Sequence, residues 1–88
     1  MRVMLCRNRV RDFAVWKRVF DAHAEAHHAA GLHLLQLWRE IGDENNVIFL
    51  FSVDDIERAR AFVTDPARAE VGREAGVVDG DIRFLDDV

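Results

Sequence analysis

The sequence predicts an α+β fold in which strands and helices follow the order β-α-β-β-α-β, giving a four-stranded antiparallel sheet with its helices on one face. Three observations carry that expectation. The stretch Asp12–Gly31 sets Phe13, Trp16, Phe20, His23 and His27 at steps of three and four, the spacing of one face of a 3.6-residue helix. The run Val47-Ile48-Phe49-Leu50-Phe51 is apolar without a break, as a strand buried on both faces would be. Between them, Gly42-Asp43-Glu44-Asn45-Asn46 has the composition of a hairpin turn.

Taken in order, Arg2–Val10 opens with Val3-Met4-Leu5-Cys6 and reads as the first strand. Asp12 follows, placed to accept from the first free N–H groups of a helix, and Gly31 stands where a left-handed residue ends one. One uninterrupted helix is expected between them, with Arg18, Asp21, Glu25 and His28 on its wet side. Leu32–Glu40 reads as a second strand, with Leu34, Gln36 and Trp38 on one side and His33, Leu35, Leu37 and Arg39 on the other. The turn over 42–46 then leads into a third strand, Val47–Val53. Asp54 is expected to cap the next helix with Glu57 as its capping-box partner, and Ile56, Ala59 and Val63 form the inner stripe. Asp65-Pro66 restarts a short helix with proline at the first position, which runs to about Ala75 and stops at Gly76. Asp81–Asp86 is the last strand, with Ile82 and Phe84 alternating against Arg83 and Leu85. The order is that of a split-βαβ, ferredoxin-like domain spanning residues 1–88.

Composition narrows the function. Half of the 88 residues are apolar, enough for one core. A net charge of −4, a pI near 5.5 and scattered basic residues argue against a nucleic-acid partner. The apolar runs are too short to span a bilayer and the N-terminus lacks the apolar core of a signal peptide, so no membrane partner and a cytoplasmic location are expected. Cys6 is the only cysteine, so no intrachain disulfide forms, and it reads as a small buried hydrophobe. Helices on one face leave the other face of the apolar third strand uncovered. The partner expected there is a second copy of the chain, making a homodimer.

The order of elements, the helix Phe13-Ala-Val-Trp16-Lys-Arg-Val-Phe20-Asp-Ala-His23 and the segment Phe49-Leu-Phe-Ser-Val-Asp-Asp-Ile-Glu-Arg-Ala-Arg-Ala-Phe62 resemble the dimeric α/β-barrel superfamily. Within it, the chain is similar to small stand-alone proteins related to the antibiotic-biosynthesis monooxygenase group. The resemblance implies two protomers joining their sheets into a barrel, and a pocket in each between sheet and helices. Haem-degrading members carry an Asn near the end of strand one, and a Trp and a haem-ligating His on the second helical region. Asn8 matches the first, but Phe62 and Gly72 stand at the other two positions, so the axial ligand is missing. Cofactor-free quinone-forming members often use a Tyr or Trp beside an Asn to polarise a phenol. This chain has no Tyr, and Trp16, Trp38 and Asn8 are its substitutes.

The remaining chemistry rests on His23 and His27, which end an otherwise aromatic stripe. Imidazole titrates near neutrality, so either is a candidate proton-transfer group in an apolar pocket; the alternative is a pair of histidines satisfied by backbone or water at the end of the core. His23-Ala-Glu25-Ala-His27 is not the zinc-protease motif, because its Glu points to the other face. A shared metal would need a third ligand from His33, Cys6 or Glu40, and neither a metal nor an organic cofactor is expected. The mixed charges of the later helices, Arg68 among them, read as solvated faces. Two functions follow. One is a small enzyme of oxygenase, cyclase or isomerase type acting on an aromatic or polyketide-like molecule, with Phe13, Trp16, Phe20, Asn8 and Trp38 binding it and His23 or His27 moving the proton. The other is a non-catalytic ligand-binding or regulatory dimer.

Overall fold

The structure is a computed structural model and describes every residue from Met1 to Val88. Strand β1 spans Arg2–Val10, helix α1 Phe13–Ala22 and helix α2 Ala24–Ala29. Strands β2 (Leu32–Glu40) and β3 (Asp43–Val53) follow, then helices α3 (Ile56–Thr64) and α4 (Pro66–Ala75) and strand β4 (Val77–Asp86). The sheet order is β2-β3-β1-β4 and every neighbouring pair is antiparallel. This is the expected ferredoxin-like arrangement.

Alternation along the two central strands decides where the core lies. Met4 and Cys6 of β1 and Val47, Phe49, Phe51 and Val53 of β3 are buried, and Trp16, Ala59 and Ala75 close over them from the helices. Leu5, Ile48 and Leu50 point to the opposite face and are half-buried. A one-residue slip of β3 would turn its four inward side chains out, at about 1.5–3 kcal/mol for each large one, so the register is firmly set.

The first helix is not continuous. It breaks at His23, whose backbone (φ −102°, ψ 13°) caps α1 and precedes α2. In an unbroken helix the His23 N–H would bond the Val19 carbonyl. Here the His23 side chain occupies that carbonyl through Nδ1 at 2.9 Å, and the backbone N–H bonds Phe20 instead. A side chain competing for its own helical acceptor cannot be seen in a spacing pattern.

Strand β2 also departs from simple alternation. Leu34 pairs with Phe51 and Gln36 with Leu50, so Leu35 is the extra residue of a bulge. Beyond it the faces exchange: Leu34 shares the helix side with Leu37 and Arg39, and Gln36 and Trp38 share the other with Leu50 and Ile48. The hairpin turn is shorter than the polar cluster suggests, because β3 begins at Asp43 and the turn is Ile41-Gly42, with Gly42 at φ 89°. The polar residues join the ladder because each finds a cross-strand partner. Asp43 accepts from Arg9 at 2.7 Å, and the buried Asn46 accepts from Arg7 and donates to Glu40, both at 3.0 Å.

Asp55, not Asp54, caps α3, accepting from the Glu57 and Arg58 N–H groups at 2.9 and 3.2 Å. Asp54 is turned instead to His33, 2.9 Å from its Nε2. Strand β4 begins at Val77 rather than Asp81, and its Gly80 pairs with Asn8. A Cβ at Gly80 would lie 2.4 Å from the Arg7 carbonyl oxygen, so only glycine lets β4 pass there.

Candidate functional site

The helices do not seal the sheet completely. Between them and the inward strand faces lies a hollow of about 220 Å³, floored by Cys6, Asn8, Phe49 and Phe51 and walled by His27, Phe62, Arg68 and Gly72. A smaller hollow of about 130 Å³ adjoins it, sharing Asn8, His27, Phe49, Arg68 and Gly72 and adding Trp16, Phe20 and His23. Neither lining contains a carboxylate.

Trp16 forms the inner wall and is 2% exposed. Its ring lies 5.9 Å from Phe13, 4.7 Å from Phe20 and 5.4 Å from Phe49. With the Asn8 amide assigned the orientation that satisfies both neighbours, its Oδ1 accepts from the indole N–H at 3.1 Å and its Nδ2 donates to the Arg7 carbonyl at 2.9 Å. Both polar groups are thereby satisfied within the protein.

His27 stands at the centre. Its ring is 5.1 Å from Phe20, 5.2 Å from Phe51 and 5.8 Å from Phe62, and neither ring nitrogen bonds to another protein group. Burial, reinforced by the Arg68 and His23 charges, lowers its pKa to about 4, so it is a neutral imidazole at pH 7 with one free acceptor nitrogen and one free N–H. His23 reaches only the smaller hollow, and its Nδ1 is held on Val19. A third hollow of about 300 Å³ lies on the far side of His27, lined by Phe20, His28, His33 and Leu34.

The cleft thus gathers Asn8, Trp16, Phe20, His23 and His27 from the residues that the sequence singled out. It leaves out two. Phe13 stacks on Trp16 from outside and lies beneath the Arg39 guanidinium, 3.9 Å from its ring centroid. Trp38 is on the opposite sheet face and 45% exposed, turned there by the Leu35 bulge.

Sequence reasoning missed Arg68 and Phe62. The guanidinium of Arg68 lies 4.4 Å from the Phe62 ring centroid, and it lines both hollows. Its signal was present: Arg68, Val71, Gly72 and Ala75 follow the spacing of one helix face, and that face of α4 lines the smaller hollow. Cys6 offers no nucleophile, because burial, with a smaller push from the Asp81 charge, raises its thiol to about 12. No cluster of three His, Cys, Asp or Glu side chains forms that could hold a metal ion. The cleft-wall position that the resemblance pairs with a haem-ligating His is Gly72, which offers no ligand.

No family model and no curated protein sequence matches the chain. Solved structures do. A proposed antibiotic biosynthesis monooxygenase from Bordetella bronchiseptica superposes with a TM-score of 0.79 at 12% identity, over 99% of this chain and 96% of that one. Another, from Caulobacter crescentus, gives 0.75 at 18% identity over 99% and 89%. An uncharacterized NIPSNAP domain protein from Burkholderia xenovorans gives 0.68 at 16% identity over 100% and 95%. The fold is theirs. It is the ferredoxin-like fold of the antibiotic-biosynthesis-monooxygenase and NIPSNAP proteins, and the cleft lies between sheet and helices as the resemblance implies.

Proposed function

We propose that the cleft binds a small aromatic molecule and that His27 moves a proton to or from it, in a reaction of oxygenase, cyclase or isomerase type that needs no tightly bound organic cofactor. The observation that carries this reading is His27 itself, a neutral imidazole among three phenylalanines with both nitrogens unbonded to protein. Neither nitrogen is sealed from the cleft, so a ligand hydroxyl or carbonyl entering it can bond to the ring. Phe20, Phe49, Phe51 and Phe62 offer ring faces and edges for stacking. His23 and Asn8 shape the wall; their principal hydrogen bonds are already made inside the protein.

The low basicity of His27 favours a second reading, in which the same cleft binds its ligand without turnover. In either case we propose a homodimer through the free sheet face, where Leu5, Ile48, Leu50 and the exposed Trp38 and Leu85 lie.

Thermal melts with a panel of phenols and quinones test the cleft. A ligand should raise the melting temperature of the wild type, and His27→Leu should abolish that shift while its own ligand-free stability is unchanged or higher. A His27→Leu protein that is destabilised, with no ligand shifting the wild type, would refute the reading. Oxygen uptake or a new product by mass spectrometry, lost in His27→Leu, separates turnover from binding.

A further inference from the structure

We propose that the cleft selects planar aromatic molecules bearing a delocalised oxyanion, a carboxylate or phenolate, and that Arg68 is the residue that recognises the charge. This rests on the reading of the cleft as a ligand site and names the class of ligand it takes.

The argument starts from the company Arg68 does not keep. Arg2, Arg7, Arg9, Arg39 and Arg73 each form an ion pair with a nearby carboxylate. Arg11, Arg18, Arg58, Arg60 and Arg83 form none but are exposed, so water solvates them. Arg68 alone is both unpaired and half-buried. In a chain with 16 acidic residues and 12 basic ones, a guanidinium left without a carboxylate in a cleft is the exception. Taking it partly out of water is unfavourable unless a partner compensates. Its cation–π contact with the Phe62 ring, 4.4 Å from the centroid, supplies some of that and holds the guanidinium at the cleft wall. The paired donors of a guanidinium match the two oxygens of a carboxylate.

The rest of the lining agrees. No Asp or Glu stands in either hollow to repel an anion, and His27, which lines both, is uncharged at pH 7 and does not compete for it. The apolar floor of Phe49 and Phe51 lies on the other side of the space, where the arene would rest. Hollows of about 220 and 130 Å³ hold one or two rings rather than a longer scaffold.

The test compares two isosteric probes, 2-naphthoate and 2-naphthamide, titrated at pH 7 into wild type, Arg68→Gln and Arg68→Lys by calorimetry. Thermal melts confirm that each variant is folded. The wild type should bind the naphthoate at least about tenfold more tightly than the amide. Arg68→Gln should erase that preference and leave amide binding within about twofold, while Arg68→Lys, which keeps the charge but not the fork, should fall between. Equal wild-type affinities, or a preference that survives in Arg68→Gln, would overturn the assignment while leaving the cleft as a ligand site. Failure of both probes to bind the wild type would overturn the cleft reading itself.

Discussion

The Trp16 indole N–H and the Asn8 amide oxygen meet 3.1 Å apart, tying the middle of α1 to β1 across the inner wall of the cleft. Asn8 is thereby a framework residue before it is a ligand contact. Replacing it with Leu leaves a buried indole N–H unpaired and should cost about 1–3 kcal/mol of stability. Chemical denaturation of Asn8→Leu measures this; a wild-type midpoint would mean that the bond contributes nothing.

The free sheet face should make the protein dimeric. Leu5, Ile48 and Leu50 form its centre, and burying each is worth up to about 1.5–3 kcal/mol per copy. Light scattering at low micromolar concentration should give twice the chain mass for the wild type and the chain mass for Leu50→Glu. A monomeric wild type would show that the face is covered in some other way.

Cys6 should be inert. With its thiol raised to about 12, almost no thiolate exists at pH 8, and the side chain is 3% exposed. Ellman's reagent should therefore react only as fast as the protein unfolds, with the rate rising in step with added urea. Rapid labelling of the native protein would contradict the burial of β1.

Stability should fall on acidification through His27. Its folded pKa, about 4, lies below the ordinary 6.5, so between those values the unfolded chain holds a proton that the folded one lacks. The contribution is complete above pH 6.5 and is lost as pH falls towards 4. Urea midpoints from pH 7 to 4.5 should drop less steeply in His27→Phe than in the wild type; parallel curves would place His27 in water.

Much of the fold was legible because it is written in periodicity. The apolar opening of β1, the unbroken run in β3 and the proline at the start of α4 fix the order of elements and the core. What escaped depends on one side chain choosing between two partners. His23 takes the Val19 carbonyl and breaks the first helix, Asn46 joins the ladder through Arg7 and Glu40, and Leu35 bulges and sends Trp38 to the other face. The cleft was half legible. The stripe from Trp16 to His27 pointed at it, but Arg68 was read by its charge rather than by its place on the inner face of α4.

The central claim is that His27 meets the ligand. The most direct measurement is a proton–carbon NMR titration of histidine-labelled protein with 2-naphthoate and the phenol panel, following the ring resonances of all four histidines. A ligand should move the His27 ring signals saturably and leave those of His28 and His33, which line the far hollow but not the cleft, in place. Saturable shifts confined to His28 and His33, or no shift of His27 with any compound, would contradict it.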